Sequence, residues 1–366
     1  VGVATQLLSP EMKPKLLADY AADYEKIRIR LANKQPKAAK LSYQDSIENG
    51  LKIDWNNYVP PKPHMLGQKI FKNYPLETLV PYFDWTPFFI SWSLAGKFPA
   101  ILTDHVVGEA ATDLYEQAQI MLKDVIENKR FDARAVFALY PAKRNAADTV
   151  QVLDETGQTV THTFEHIRQQ SDKVTGKPNL SLADYIAPED AHLEDYLGGF
   201  TVSIFGAEEL SHEYKAKGDD YSAILVQALA DRFAEAFAEH LHERIRKEFW
   251  AYQADEQLSN DDLIKEKYVG IRPAPGYPAC PEHSEKETLF NWLDSTQAIG
   301  TQLTSSYAMW PPSSVSGFYY SNPQSSYFNV GKIAQDQLDS YAERKGWTMD
   351  EAKRWLMPNL DDSIDI

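Results

Sequence analysis

Apolar residues recur three and four apart over about 220–250, where Ile224, Leu225, Ala228, Leu229, Phe233, Ala236, Phe237 and Leu241 mark one face of a predicted helix. A second stripe, Ala111, Leu114, Ala118, Met121, Leu122 and Val125, predicts a helix over 108–127. A third, Leu16, Leu17, Tyr20, Tyr24, Ile27 and Leu31, predicts an amphipathic helix over about 10–33. Ser9 opens it as a side-chain cap, with Pro10 at the first helical position. Shorter helical patterns fall near 283–298 and 333–345.

Between these stripes the period changes. "RAVFALYPA" (134–142), "DTVQVL" (148–153) and "TVTHTF" (159–164) are β-rich runs, the last two joined by the turn-forming "DETGQ" as in a hairpin. "GGFTVSIF" (198–205) reads as a strand entered through two glycines, and "SVSGFYYSNPQSSYFNV" (314–330) as a strand and turn. "IDWNNYVPPKPHMLG" (53–67) and "KNYPLETLVPYFDWTPFF" (72–89) read as extended chain with turns and docked aromatics. "NKQPKAAK" (33–40) reads as a linker, and the first residues, "VGVATQLLS", as an apolar, strand-like run. Strands that cluster rather than alternate with helices predict an α+β fold: one large domain, a central mostly antiparallel sheet flanked by helices, preceded by a linker helix.

"IRPAPGYPACPEHSEK" (271–286) obeys neither period. Pro273, Pro275, Pro278 and Pro281 exclude a helix interior and a central strand, so the segment must be a stiff extended loop. Such a loop loses little entropy on ordering, and it can present backbone groups to a ligand in a nearly fixed geometry.

Composition narrows the partners. At 43% hydrophobic and 12% aromatic, 366 residues suffice for a packed core. Thirty-seven basic against fifty-three acidic residues, a net charge of −16, argue against a nucleic-acid or anionic-membrane surface. The only cysteine, Cys280, excludes an internal disulfide framework and suits a reducing cytoplasm. No apolar run approaches the roughly 20 residues of a membrane span.

Several chemistries lack their pattern. Cys280 with His283, and His240 with His242, are too few and wrongly spaced for zinc, so no metal site is expected. Neither G-x-G-x-x-G nor a phosphate-binding G-x-x-x-x-G-K-[ST] occurs, and there is no G-x-S-x-G elbow. Asp231, Glu235 and Glu239 repeat every four residues along the long predicted helix. Such a stripe is either a solvated face or a set of carboxylates presented to a cationic partner.

Three stretches together resemble the C-terminal activation domain of cobalamin-dependent methionine synthases: "RPAPGYPACPEH" (272–283), "ALADRFAEAFAEHLHERIR" (228–246) and "SVSGFYYSNPQSSYFNVGKIAQDQLDSYAERKG" (314–346). "PFFISWSLAGKFPAIL" (87–102), "LADYIAP" (182–188) and "GGF" (198–200) add to the likeness, which runs in order from about Leu41 to Leu360. "VGVATQLLS" is similar to the last strand of the family's cobalamin-binding domain, so the resemblance assigns 1–35 to that domain's end and linker helix, and 36–366 to the activation domain.

The resemblance implies S-adenosylmethionine (AdoMet) as ligand and a reactivation role. Oxidised, inactive cob(II)alamin is reduced by one electron, from flavodoxin or an equivalent reductase, and methylated from AdoMet. Cobalamin would be held by the neighbouring domain, and zinc only by the homocysteine domain of the full enzyme. This fragment is not expected to methylate homocysteine by itself. By the same resemblance Arg272 would grip the AdoMet carboxylate, Asp84 the ammonium, and Ala274 and Gly276 would supply backbone contacts. Tyr327 and Phe328 would lie near the adenosine, Tyr277 and Glu235 near the reactive methyl or the corrin, and Asp231 against the cobalamin domain. Lys97 and Glu266 are candidates for the reductase side. The competing readings are a free-standing AdoMet-dependent small-molecule methyltransferase and a non-enzymatic docking module.

Overall fold

A computed structural model describes residues 2–32 and 41–364, so the linker reading of 33–40 lies outside the described residues. The core is a six-stranded antiparallel sheet. Its strands are β1 (Gly67–Tyr74), β2 (Asp132–Ala146), β3 (Thr149–Leu153), β4 (Val160–Glu165), β5 (Asp195–Phe205) and, after a two-stranded ribbon of β6 (Gln302–Leu303) and β7 (Met309–Trp310), β8 (Ser314–Tyr319). Strand β2 is the hub. It pairs with β5 from Asp132↔Phe205 to Ala142↔Asp195, while its other edge is shared by β1 and then β3.

Both faces of this hub are buried, which explains why "RAVFALYPA" is apolar throughout rather than alternating. Ala133, Ala135, Phe137 and Leu139 face one core with Phe200, Val202 and Ile204 of β5. Val136 and Ala138 face the other, with Leu197, Phe318 and Tyr320. The glycines of "GGFTVSIF" lie inside β5 and do not precede it. A Cβ at Gly199 would run into the Trp292 indole, so the strand needs the bare backbone there.

Ahead of the sheet come α1 (Gly2–Leu8), α2 (Lys13–Ala32) and α3 (Tyr43–Glu48). The apolar start is therefore helical, not a strand. With no neighbouring strand among the described residues, hydrogen bonds within the segment satisfy its backbone. The predicted helices over 10–33 and 108–127 form as α2 and as α5 (Gly108–Glu127), the latter following α4 (Trp85–Ser91). Reading 72–89 as extended missed α4, while β1 falls largely between the two stretches read as extended. Asp84 caps α4 through the Thr86 N–H at 2.9 Å, and Pro87 sits in its first turn, where a missing N–H costs nothing.

After β5 the chain forms α6 (Ala207–Ala216), absent from the sequence reading, and the long α7 (Asp220–Arg244). Its buried stripe, including Leu229, Phe233 and Phe237, belongs to the first core, and the helix packs on β5 and β8. It ends in one π turn, Ile245–Phe249, closed by the Trp250 N–H on the Ile245 carbonyl at 2.9 Å. Helices α8 (Asn260–Ile264), α9 (Glu285–Trp292), α10 (Ser295–Ile299), α11 (Gln335–Lys345) and α12 (Met349–Leu356) complete the chain. The α+β architecture is the one expected. Among the described residues no helix is long and apolar enough to cross a membrane.

Candidate functional site

The proline segment is non-helical, as its composition requires, and it is tied down along its length. Ile271 exchanges both backbone hydrogen bonds with Tyr320 at 3.0 Å, and the Pro273 carbonyl accepts from the Phe318 N–H at 2.8 Å, so the segment continues the sheet past β8. Prolines are tolerated because only their carbonyls are used on this edge. Beyond Ala274 the chain turns through Gly276, whose φ is +91°, and the Gly276 N–H bonds the Cys280 carbonyl at 2.7 Å. A Cβ at Gly276 would come within 2.5 Å of the His283 ring. The Pro278 carbonyl then accepts from Val330, which holds the 325–330 loop against the turn.

Two adjoining cavities open where this segment meets α7 and α8. One, about 370 Å³, is lined by Arg272, Ala274, Tyr277, Tyr327, Phe328 and Glu235, among others. The second, about 350 Å³, is lined by Asp84, Arg232, Glu239, Leu263 and Ile264. Arg272, Glu235 and Glu266 line both. Eight of the sequence-predicted residues thus gather on one groove, Glu266 of the reductase-side pair among them, and Gly276 sits in the turn that shapes it. Asp231 lines neither cavity; its carboxylate accepts from Ser313 Oγ at 2.6 Å. Lys97 is also outside the groove. A larger cavity of about 720 Å³, beside Arg144 and Trp55, holds none of the predicted residues.

Arg272 is the best connected of them. Its Nη2 lies 2.7 Å from Glu239 Oε2, while Nη1 donates to Tyr268 Oη at 2.9 Å and to His242 Nδ1 at 3.3 Å. Its backbone N–H donates to Tyr327 Oη at 3.0 Å, which binds the second loop to the first. Burial alone would lower the Arg272 pKa, but the Glu239 carboxylate overrides it and holds the guanidinium charged. Full burial, reinforced by the charges of Arg246 and Arg272, pushes the His242 pKa well down, so its neutral ring accepts at Nδ1. Burial, with Glu235 nearby, raises the Tyr277 pKa and keeps its hydroxyl protonated.

The carboxylate stripe is divided by burial. Asp231 and Glu235 are exposed, whereas Glu239 is only 7% exposed and paired with Arg272. Spacing alone treated the three alike, and the resemblance gave roles to Asp231 and Glu235 but none to Glu239 or Tyr268, while His242 was weighed only as a metal ligand. One signal was present: Glu239, His242 and Arg246 stand at i, i+3 and i+7, the spacing of one helical face, which the structure carries from α7 into its π turn. Glu266, with φ +53°, occupies the left-handed position just past the end of α8, where a helix terminus accounts for it.

In chemical terms the groove offers an arginine fork, several carboxylates, several aromatic side chains and fixed backbone groups. That set matches a zwitterionic ligand with an aromatic portion. The family profile described as "Vitamin B12 dependent methionine synthase, activation domain" matches residues 75–346. A crystal structure of the MetH reactivation domain bound to AdoHcy is 46% identical, with a TM-score of 0.86 over 90% of this chain and 100% of that one. The chain belongs to the activation-domain family of vitamin B12-dependent methionine synthases.

Proposed function

We propose that this chain binds AdoMet in the groove between the proline segment, α7 and α8, and supports reductive reactivation of cobalamin held by a neighbouring domain. The observation that carries this reading is that Arg272 and Asp84, far apart in sequence, line one cavity. Their charges are those that the carboxylate and the ammonium of one amino-acid ligand require. Asp84 Oδ1 is engaged by the α4 cap, leaving Oδ2 for the ammonium. The backbone at Ala274 and Gly276 and the rings of Tyr327 and Phe328 would receive the remainder of the ligand.

AdoMet supplies the methyl group and cobalamin the accepting metal; the residues of this chain bind, orient and exclude. Tyr277, 62% exposed, and Glu235, also exposed, stand at the rim, where a docked cobalamin domain would complete the site. Asp231, one turn before Glu235 on the same helix, would contact that domain. Residues 1–35 are assigned to the end of the cobalamin-binding domain and its linker helix, and 36–366 to this domain. The cytoplasm is the compartment, and flavodoxin or an equivalent reductase the electron donor. Holding the ligand in line with a reduced metal is an orientation task, which a stiff, tied-down loop suits.

The test is made in the full enzyme. Deleting the region of this chain should leave turnover from the methylated cofactor intact and abolish recovery after oxidation. Recovery at the parental rate would overturn the proposal.

A further inference from the structure

The arginine assigned to the ligand is already anchored by the protein. Of its five N–H donors, two on Nη1 face Tyr268 and His242, and Nη2 faces Glu239. Among the described residues no acceptor takes the Nε–H, and the side chain is 20% exposed. The Nε edge is therefore the one left for a ligand carboxylate.

The anchor is itself held from behind. Glu239 lies between Arg272 and Arg246, whose charges oppose the upward push of burial on its pKa. Arg246 is fixed by a bidentate pair with Glu256, at 2.8 and 2.7 Å. His242 stacks on Tyr319, with ring centroids 5.2 Å apart and planes 15° from parallel. A buried frame thus sets the plane of the guanidinium. Without Glu239, two other carboxylates would compete for a long, flexible cation: Glu235 and Glu266, both exposed and both lining the same cavities as Arg272. An arginine paired with either would turn its fork away from the ligand.

We propose that Glu239 is the positioning residue of the carboxylate subsite, holding the Arg272 guanidinium at Nη2 so that the Nε–H faces the AdoMet carboxylate. The inference rests on the AdoMet reading above. It differs from a purely structural role for Glu239 in one respect: the effect of Glu239 should depend on the ligand having a carboxylate.

Calorimetric titration of this chain with AdoMet and with decarboxylated AdoMet tests it, using the wild type, E239Q, E239D, R272K and E239Q/R272K. The wild type should prefer AdoMet at least tenfold. E239Q should shrink that preference at least fivefold while its affinity for the decarboxylated compound stays within twofold, and E239D should be intermediate. In the R272K background E239Q should change nothing further. Equal weakening of both compounds would make Glu239 merely structural, and an unchanged or increased preference would make it a bystander or a competitor for Arg272; either overturns the inference. If E239Q fails to melt cooperatively, E239D provides the same readout. Failure of the wild type to bind either compound overturns the AdoMet reading itself, whereas binding without dependence on Glu239 overturns this inference alone.

Discussion

Arg272 and Glu239 meet at 2.7 Å, joining the proline segment to α7 through a pair that is mostly withdrawn from water. Removing one partner of such a pair leaves the other charge buried and alone, which costs about 3–5 kcal/mol. R272A should therefore destabilise the fold by roughly 3 kcal/mol. R272A/E239Q should be less destabilised than the sum of its single variants, with a coupling of at least about 1 kcal/mol. Urea unfolding of the four proteins measures this.

Glu235 and Tyr277 stand at the exposed rim, so their loss should be felt outside AdoMet binding. E235Q and Y277F should leave the affinity of this chain for AdoMet within about threefold, a change of under 1 kcal/mol. In the full enzyme both should slow recovery of oxidised cobalamin at least tenfold. An equal loss of AdoMet affinity would make these residues ligand contacts and not docking residues of the rim.

Gly276 combines a φ of +91° with the His283 ring where a Cβ would go. G276A should cost about 1–3 kcal/mol in thermal or denaturant unfolding and weaken AdoMet binding, because the turn sets the positions of Ala274 and Tyr277. A G276A protein with wild-type stability and affinity would show the turn to be adaptable.

Glu285, buried at the start of α9, pairs with Lys345 at 2.5 Å. Burial, only partly offset by Lys345, pushes its carboxyl up to about 7 from the ordinary 4.5. The unfolded chain therefore releases this proton first as pH rises, and the folded state binds more protons between about pH 4.5 and 7. Stability from this group is greatest below pH 4.5 and declines through that window by about 1–3 kcal/mol. E285Q should remove that decline. Unfolding free energies at pH 5 and pH 8 for both proteins provide the check.

Elements with a long period were legible from the residues alone. Helix α5 and the β3–β4 hairpin stand where their patterns put them, because one face of each meets a core. Helix α4 was hidden by Pro87, which suggests a break unless its place in the first turn is known. The groove was legible through the stiff segment and its resemblance, and the structure brings Asp84 to it from another part of the chain. Glu239 was not legible as a special residue. Spacing places a side chain on a helix face, but only packing decides whether that face is wet at Glu235 and dry at Glu239.

The most direct test of AdoMet binding through Arg272 is a calorimetric comparison of wild type and R272K, with cooperative melting confirmed for both. Lysine keeps the charge and loses the fork. The account predicts saturable one-site AdoMet binding to the wild type and affinity weaker by about 10–100-fold in R272K, the worth of a bidentate charged contact. A folded wild type that does not bind AdoMet, or equal affinity in the two proteins, would contradict it.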